Sequence, residues 1–119
     1  MAHSREKLLA DIVGACASIG AFTQDRTRAS YSADSMRRSA VERQFGILGE
    51  AMRRLELLDA SLTGRITGHR RLIEFRNVLV HGYDSADDDV VWQAVTEKVP
   101  VLMSEARFLL AEITKPGKP

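Results

Sequence analysis

The strongest constraint on this chain is the spacing of its apolar residues, which follows the α-helical period through three long stretches. Successive apolar residues lie three or four positions apart, as they do on one face of a helix. Alternation of apolar and polar residues with a period of two is not sustained anywhere, so no sheet is expected. The stretches cover residues 8–22, 41–55 and 92–113, and a shorter helical pattern covers 69–80.

Short polar side chains predict where several helices begin. Ser4 precedes the first apolar stretch, and Asp59 precedes a short segment that ends in a glycine-containing turn. Serine and aspartate are favoured caps because their side-chain oxygens accept hydrogen bonds from the first free N–H groups of a helix. A polar stretch, 23–35, interrupts the helical period and offers Ser32 and Asp34 as two further capping candidates.

The last helical stretch is predicted to be the longest and to be bent. Asp87, Asp88 and Asp89 come at its start, where carboxylates oppose the positive end of the helix dipole, and this explains the acidic run better than a metal site does. Pro100 lies inside the pattern and is expected to kink the helix. We therefore predict an all-α bundle of four to five helices, with an up-down antiparallel core and a long kinked C-terminal helix. Residues 1–114 would form one domain and 115–119 a flexible tail.

Composition limits the class of protein. The chain has 119 residues, of which 45% are hydrophobic and 28% charged, as in an ordinary globular domain. A single cysteine, Cys16, cannot build an intrachain disulfide framework, so a reduced, cytoplasmic setting is predicted. No apolar run approaches the roughly 20 residues needed to cross a bilayer, so no membrane association is expected. The helical spacing near the N-terminus argues against a signal peptide.

Charge is distributed unevenly along the sequence. The net charge is only +1, yet residues 26–76 hold 11 arginines against 6 acidic residues. Residues 77–119 hold 7 acidic residues against 4 basic ones. Arginine suits phosphate recognition because its planar guanidinium donates two parallel hydrogen bonds. The same pattern is also typical of a solvated helix face with ion pairs, and charge alone favours that interpretation.

The segment 74–84 concentrates the side chains that could carry chemistry. Arg76, Asn77, His81 and Tyr83 lie within eight residues near a predicted helix end. Asn77 and His81 are four apart and share a helix face, whereas Arg76 and His81 diverge by about 140° on a straight helix. A long side chain, a bend or a second subunit is needed to bring both to one phosphate. The residues alone leave structural roles open, as an ion pair, a helix cap and a packing aromatic.

Gly82 is predicted to end this helix. Glycine just past a helix end adopts the left-handed conformation that closes the last turn. This would place His81 at the C-terminal cap, where the helix dipole favours the protonated imidazole. A histidine that is charged near neutral pH can act as a general acid and, after losing its proton, as a base.

Three other residues with possible chemistry are interpreted as structural. Cys16 has no nearby base and is predicted to be a buried apolar residue. His69 is predicted to be a surface residue beside two arginines, and Trp92 is predicted to belong to the core. Neither a zinc-ligand spacing nor a glycine-rich phosphate loop is present in the sequence.

The segment around Arg76 resembles a known signature. Residues 76–83 match the R-x4-H-x-Y motif of HEPN domains in their HepT-like form. Residues 40–51 resemble the second helix of that family, and residues 88–100 resemble its last helix. The resemblance implies a four- or five-helix bundle that forms a homodimer or a higher oligomer. It also implies a metal-independent ribonuclease that serves as the toxin of a toxin–antitoxin pair and needs no cofactor.

The resemblance also assigns roles and a partner. Arg76 would stabilise negative charge on the scissile phosphate of an RNA substrate, and His81 would transfer the proton, while Asn77 and Tyr83 would support the active site. The antitoxin would be an MNT-type nucleotidyltransferase that transfers AMP to Tyr83. One alternative is a non-catalytic module in which the same cleft binds a nucleotide or a partner. A weaker one is a helical scaffold that assembles through its last helix.

Overall fold

The fold is all-α, as the apolar spacing predicts. The structure is a computed structural model that describes residues 4–81 and 87–115, with the backbone alone for Val80 and His81. Within these residues there is no strand. The helices are α1 (Arg5–Thr23), α2 (Arg28–Ser32), α3 (Ser35–Leu58), α4 (Ala60–Thr63), α5 (His69–His81), α6 (Asp88–Gln93) and α7 (Val99–Thr114), with a π-helical turn (Ala94–Lys98) between α6 and α7.

Helices α1 and α3 lie antiparallel. Near the start of α1, Arg5 pairs with Asp59 just after the end of α3, at 3.1 Å. Near the other ends, the Arg37 guanidinium donates to the Phe22 carbonyl at 2.5 Å. Because each end of α1 meets the opposite end of α3, the predicted up-down arrangement is confirmed for this pair.

The core consists of the predicted apolar stripes. Helix α1 packs against α3 and α7, and α3 also packs against α5. An edge-to-face contact between Phe45 and Phe75, with ring centroids 5.1 Å apart, joins α3 to α5. Burying each large aliphatic or aromatic side chain contributes about 1.5–3 kcal/mol. The fully buried residues of the stripes include Ile12, Ile19, Val41, Phe45, Leu48, Met52, Leu55 and Leu102.

Most of the predicted caps are confirmed. A side-chain oxygen accepts a hydrogen bond from a backbone N–H in the first turn of α1, α3, α4 and α6. These caps satisfy donors that the helix itself leaves free. The four capping residues are Ser4, Asp34, Asp59 and Asp87.

The prediction for Ser32 is wrong. Ser32 is the last residue of α2, a short helix inside the stretch that was expected to be irregular. Its hydroxyl donates to Asp88 at 2.6 Å instead of capping a helix. Thr27 and Ser30 form the capping box that starts α2, with reciprocal side-chain and backbone hydrogen bonds. Local capping thus stabilises a helix too short to show an apolar period.

The C-terminal helix is long, and its irregularity lies before Pro100. Proline has no N–H to donate, and its ring collides with the carbonyl four residues earlier. The chain adapts with the π-helical turn, in which the Val99 N–H donates to the Ala94 carbonyl five residues back. Counted through this turn, the C-terminal helix runs from Asp88 to Thr114 and is the longest among the described residues, as predicted, whereas the longest uninterrupted α-helix there is α3, with 24 residues.

Ion pairs join the basic middle of the sequence to its acidic last third. Arg28 pairs with Asp89, and Arg38 lies 4.0 Å from Asp88. We call this set, together with the Ser32–Asp88 hydrogen bond, the α2–α6 contact. Part of the charge asymmetry therefore serves to hold the C-terminal helix on the bundle. No helix within the described ranges is long and apolar enough to cross a membrane.

Candidate active site

Helix α5 carries the motif that the sequence singles out. Arg76 and Asn77 lie in its second half, and His81 is its last residue. The His81 side chain is outside the described part of the chain, as are all atoms of Gly82 and Tyr83. The predicted roles of His81 and Tyr83 therefore stay predictions.

A close approach between α3 and α5 positions Arg76. A Cβ atom added to Gly49 would lie 2.3 Å from the Arg76 Cβ and 3.0 Å from the Leu72 carbonyl oxygen. Real side chains do not tolerate such distances, so only glycine allows this packing. The aliphatic part of Arg76 rests on the bare backbone of α3, and 30% of its side chain remains exposed. Arg76 is thus anchored at its stem while its guanidinium reaches the surface.

Glu50 holds a group of three arginines. Its carboxylate lies 3.0 Å from Arg53, 2.8 Å from Arg54 and 4.0 Å from Arg76. Hydrogen bonds from Arg53 and Arg54 lower the pKa of Glu50 to about 2, so it is ionised at neutral pH. We call these four residues the arginine cluster. One carboxylate cannot neutralise three guanidinium groups, so the cluster keeps a positive charge.

Arg76 also contacts its neighbour in the motif. Its Nη1 donates to the Asn77 side-chain oxygen at 3.2 Å. Asn77 itself is exposed on the outer face of α5. The structure thus brings Arg76 and Asn77 together at the surface. Since α5 stays α-helical through His81, positions 76 and 81 lie about 140° apart around its axis.

Two pockets flank α5. The smaller has a volume of about 310 Å³ and lies among α1, α3 and α5, with Arg76 in its wall. We call it the Arg76 pocket. The larger, of about 490 Å³, lies between α5 and the C-terminal helix and is lined by residues such as Leu72, Phe75 and Val101. Neither Arg76 nor Asn77 lines the larger pocket, so the smaller one is the candidate site for a phosphate-containing ligand.

The structure tests the three residues that were interpreted as structural. Cys16 is buried, and burial raises the pKa of its thiol to about 12, which fits the predicted apolar role. Trp92 packs against the core, with its ring 5.4 Å from that of Tyr31, as predicted. His69 is less exposed than predicted, with 19% of its side chain exposed, and its ring nitrogen lies 2.9 Å from Glu56.

Sequence reasoning assigned no role to Gly49 or Glu50. The spacing of Glu50, Arg53 and Arg54 signals ion pairs within one helix. Their proximity to Arg76 depends on how α3 packs against α5, which no local pattern reveals. In the two described ranges, no group of three or more histidine, cysteine or acidic side chains is arranged to hold a metal ion.

Comparison with known proteins identifies the family. The model of a protein family described as "Ribonuclease HepT-like" matches residues 12–109, which is most of the chain. A "Probable ribonuclease HepT" of Thermococcus cleftensis is 30% identical over 102 residues, covering 86% of this chain and 92% of that protein. A "Putative RNase" of Methanocaldococcus jannaschii is 29% identical over 101 residues, covering 85% and 92%.

A longer protein of Methanocaldococcus jannaschii also matches. It is named "Gamma-glutamylcyclotransferase and putative RNase" and is 26% identical over 94 residues, which is 79% of this chain. The matched region is only 42% of that protein's length. No solved structure matches the chain significantly. The predicted resemblance and the ribonuclease class are confirmed at the level of the family, and the chain belongs to the ribonuclease HepT-like family.

Proposed function

We propose that this protein is an endoribonuclease that cleaves RNA without a metal ion, with Arg76 and His81 as its catalytic residues. The observation that carries the proposal is the anchored Arg76, whose guanidinium lies beside Asn77 and in the wall of a pocket. It stands on the helix that ends at His81 in a chain of the ribonuclease HepT-like family. A guanidinium held in place is suited to stabilise charge that develops on a phosphate.

The proposed reaction is an internal displacement at phosphorus. His81 removes the proton of the 2′-hydroxyl, and that oxygen attacks the neighbouring phosphorus. Arg76 stabilises the additional negative charge on the pentacovalent phosphate. The bond to the 5′-oxygen breaks, and this oxygen takes up a proton from an imidazolium. The products are a 2′,3′-cyclic phosphate and a 5′-hydroxyl, and Asn77 orients the phosphate or the imidazole.

The active site is proposed to form between two subunits. Positions 76 and 81 diverge around α5, so a single straight helix does not direct both side chains to one phosphate. A homodimer in which Arg76 of one subunit faces His81 of the other resolves this geometry. Isologous contact across a two-fold axis would create two equivalent sites.

The biological role proposed is that of a toxin in a toxin–antitoxin pair in the cytoplasm. The antitoxin would be an MNT-type nucleotidyltransferase, as the motif resemblance implies. Transfer of AMP to Tyr83 would add bulk and negative charge to the active site. The adenylate phosphate would compete with RNA for Arg76, and activity would stop.

The test compares wild-type protein with His81→Ala in a growth assay and in an RNA-cleavage assay with a metal chelator present. Wild type is expected to arrest growth and to release 2′,3′-cyclic phosphate ends, and the variant is expected to do neither. His69→Ala is the matched control, because it removes an imidazole that pairs with Glu56 and not with the motif. Circular dichroism checks that all three proteins remain helical.

Two outcomes would contradict the proposal. If folded wild-type protein cleaves no RNA, the chain is a binding module, and its binding of nucleotides or of a nucleotidyltransferase becomes the question. If His81→Ala cleaves as fast as wild type, the chemistry belongs to other residues. Mass spectrometry of Tyr83 after co-expression with a nucleotidyltransferase separately tests the AMP transfer.

A further inference from the structure

We infer that the Arg76 pocket binds a nucleotide of the RNA next to the scissile phosphate, and that Arg43 contacts the phosphate of that nucleotide. The inference rests on the proposed function, because it adds one neighbouring nucleotide to the proposed contact between RNA and Arg76. It assigns a substrate-binding role to a residue outside the motif.

The pocket is lined by one face of α3 and by side chains from its two neighbours. Arg43, Gly46, Glu50 and Arg54 lie three or four positions apart on α3 and therefore share a face. Arg76 reaches the same pocket from α5. The volume of about 310 Å³ is at the lower end of the range of roughly 300–1,000 Å³ for small-ligand pockets.

The charge of the pocket favours an anion. Asp11 and Glu50 also line it, but both carboxylates are already neutralised by cations. Lys7 lies 2.5 Å from Asp11, and Glu50 is held within the arginine cluster. Arg43 is exposed, and no carboxylate of the described residues lies within 4.0 Å of it. Its guanidinium is therefore available to a phosphate oxygen.

The remaining walls suit the sugar or the base. Leu8, Ile47 and Ala51 give the pocket apolar surface between the charged groups. Single-stranded RNA is commonly bound by apolar surfaces and guanidinium planes against its bases, and by cations along its backbone. A nucleotide combines an anion with an apolar ring, and this combination fits the pocket better than a simple anion does.

Gly46 keeps the pocket open. A Cβ atom added there would meet no atom within 4 Å, so the backbone tolerates a side chain that would project into empty space. A leucine at this position is expected to fill the pocket without disturbing the packing. Gly14, which also has no atom within 4 Å and lies on the exposed face of α1, provides a matched control. Both substitutions place the same side chain at a helical glycine.

The experiment measures binding of a short, fluorescein-labelled single-stranded RNA in which every 2′-hydroxyl is methylated, so that it cannot be cleaved. Fluorescence anisotropy at several salt concentrations gives the affinity and its salt dependence. Arg43→Ala is expected to weaken binding about tenfold at low salt and to lower the slope of log K against log salt by about one. Gly46→Leu is expected to weaken binding similarly, and Gly14→Leu is expected to bind like wild type.

Cleavage of an unmodified RNA separates this inference from the proposed function. Arg43→Ala is expected to raise KM and leave kcat close to that of wild type, whereas Arg76→Ala is expected to lower kcat. The inference is overturned if wild type does not bind the methylated RNA. It is also overturned if Arg43→Ala and Gly46→Leu both bind like wild type, even when wild type cleaves RNA. If RNA binding depends on Arg43 but wild type cleaves no RNA, the inference about the Arg76 pocket is supported and the proposed function is contradicted.

Discussion

The α2–α6 contact and the arginine cluster use the same chemistry for different ends. In the α2–α6 contact, Arg28 and Arg38 each have an aspartate close by, so cations and anions balance. In the arginine cluster, Glu50 serves three guanidinium groups. The first arrangement cancels charge between two segments that must stay together. The second concentrates positive charge beside a pocket and leaves it available to a ligand.

The difference explains how a chain with a net charge of +1 can offer a site to RNA. The acidic last third neutralises arginines that lie far from the motif, as Arg65 does with Glu112 at 2.7 Å. Those pairs are exposed and contribute little to stability one by one. Their effect is to balance these arginines locally, whereas the arginine cluster on α3 and α5 keeps its excess of positive charge. Net charge alone would not have located this surface.

Gly49→Ala is expected to have the largest effect on stability and cleavage, because it disrupts the arginine cluster without changing a charge. The added methyl group would collide with Arg76 and with the Leu72 carbonyl, so α5 must move away from α3. We expect a loss of about 1–3 kcal/mol in the free energy of unfolding, together with a loss of RNA cleavage. Urea denaturation measures the free energy of unfolding, and the RNA-cleavage assay with a metal chelator present measures the activity.

Gly14→Ala is the control for this substitution. Because its added methyl group has no atom within 4 Å, it should stabilise the protein by roughly 0.5–1 kcal/mol through helix propensity alone. Equal effects at the two glycines would contradict the close approach of α3 and α5.

Glu50→Gln is expected to have the next largest effect. It should change how the stability of the protein depends on pH. The pKa of Glu50 lies at about 2 in the folded protein, below its ordinary value of 4.5, so the ionised form stabilises the fold. This contribution is complete above about pH 4.5 and is lost as the pH falls toward 2. With screening by solvent, the substitution should cost about 1 kcal/mol at neutral pH and flatten the stability profile over that range. An unchanged profile would show that the arginines do not bind this carboxylate.

The same substitution is also expected to change RNA affinity and kcat in opposite directions. Removing the carboxylate makes the surface more positive, so RNA should bind more tightly. Arg76 loses its charged neighbour and is less well positioned, so kcat should fall. A decrease in affinity for RNA would contradict the proposed role of the cluster charge.

Asp88→Asn is expected to have a smaller effect, because it changes charge in the balanced region. Asparagine can still accept the hydrogen bond from Ser32, but the attraction to Arg38 is lost. We expect a loss of about 0.5 kcal/mol in thermal or chemical denaturation, which disappears at high salt. RNA cleavage should be unchanged. A strong loss of cleavage would mean that the α2–α6 contact also supports the active site.

Tyr31→Phe is expected to have the smallest effect. The ring is buried beneath the α2–α6 contact, and its hydroxyl has no hydrogen-bond partner in the described residues. Removing an unpaired buried hydroxyl should leave the free energy of unfolding unchanged or raise it by up to about 1 kcal/mol. A clear loss of stability would show that the hydroxyl has a partner.

Local sequence patterns predicted most of the helices because their causes are local. Apolar spacing located α1, α3, α5 and the last helix, and Ser4 and Asp34 cap helices as expected. Helix α2 was missed because five residues are too few to show a period. The π-helical turn was missed because the sequence shows only Pro100 and not how the backbone accommodates it.

The candidate site could be predicted only in part. The motif predicts Arg76 and Asn77 as site residues, and their side chains share a hydrogen bond in the structure. Glu50, Gly49 and Arg43 acquire their places from the packing of α3 against α5, which depends on residues far apart in sequence. The charge count detected a basic middle segment but could not tell which arginines are paired.

The most direct test of an active site shared between two subunits is to mix two inactive variants. Arg76→Ala and His81→Ala proteins are each expected to cleave no RNA in the presence of a chelator. If the active site joins Arg76 of one subunit to His81 of the other, subunit exchange gives mixed dimers with one intact site. The mixture should then regain up to about a quarter of wild-type activity. A mixture that exchanges subunits and stays inactive, while wild type cleaves RNA, would contradict the composite site.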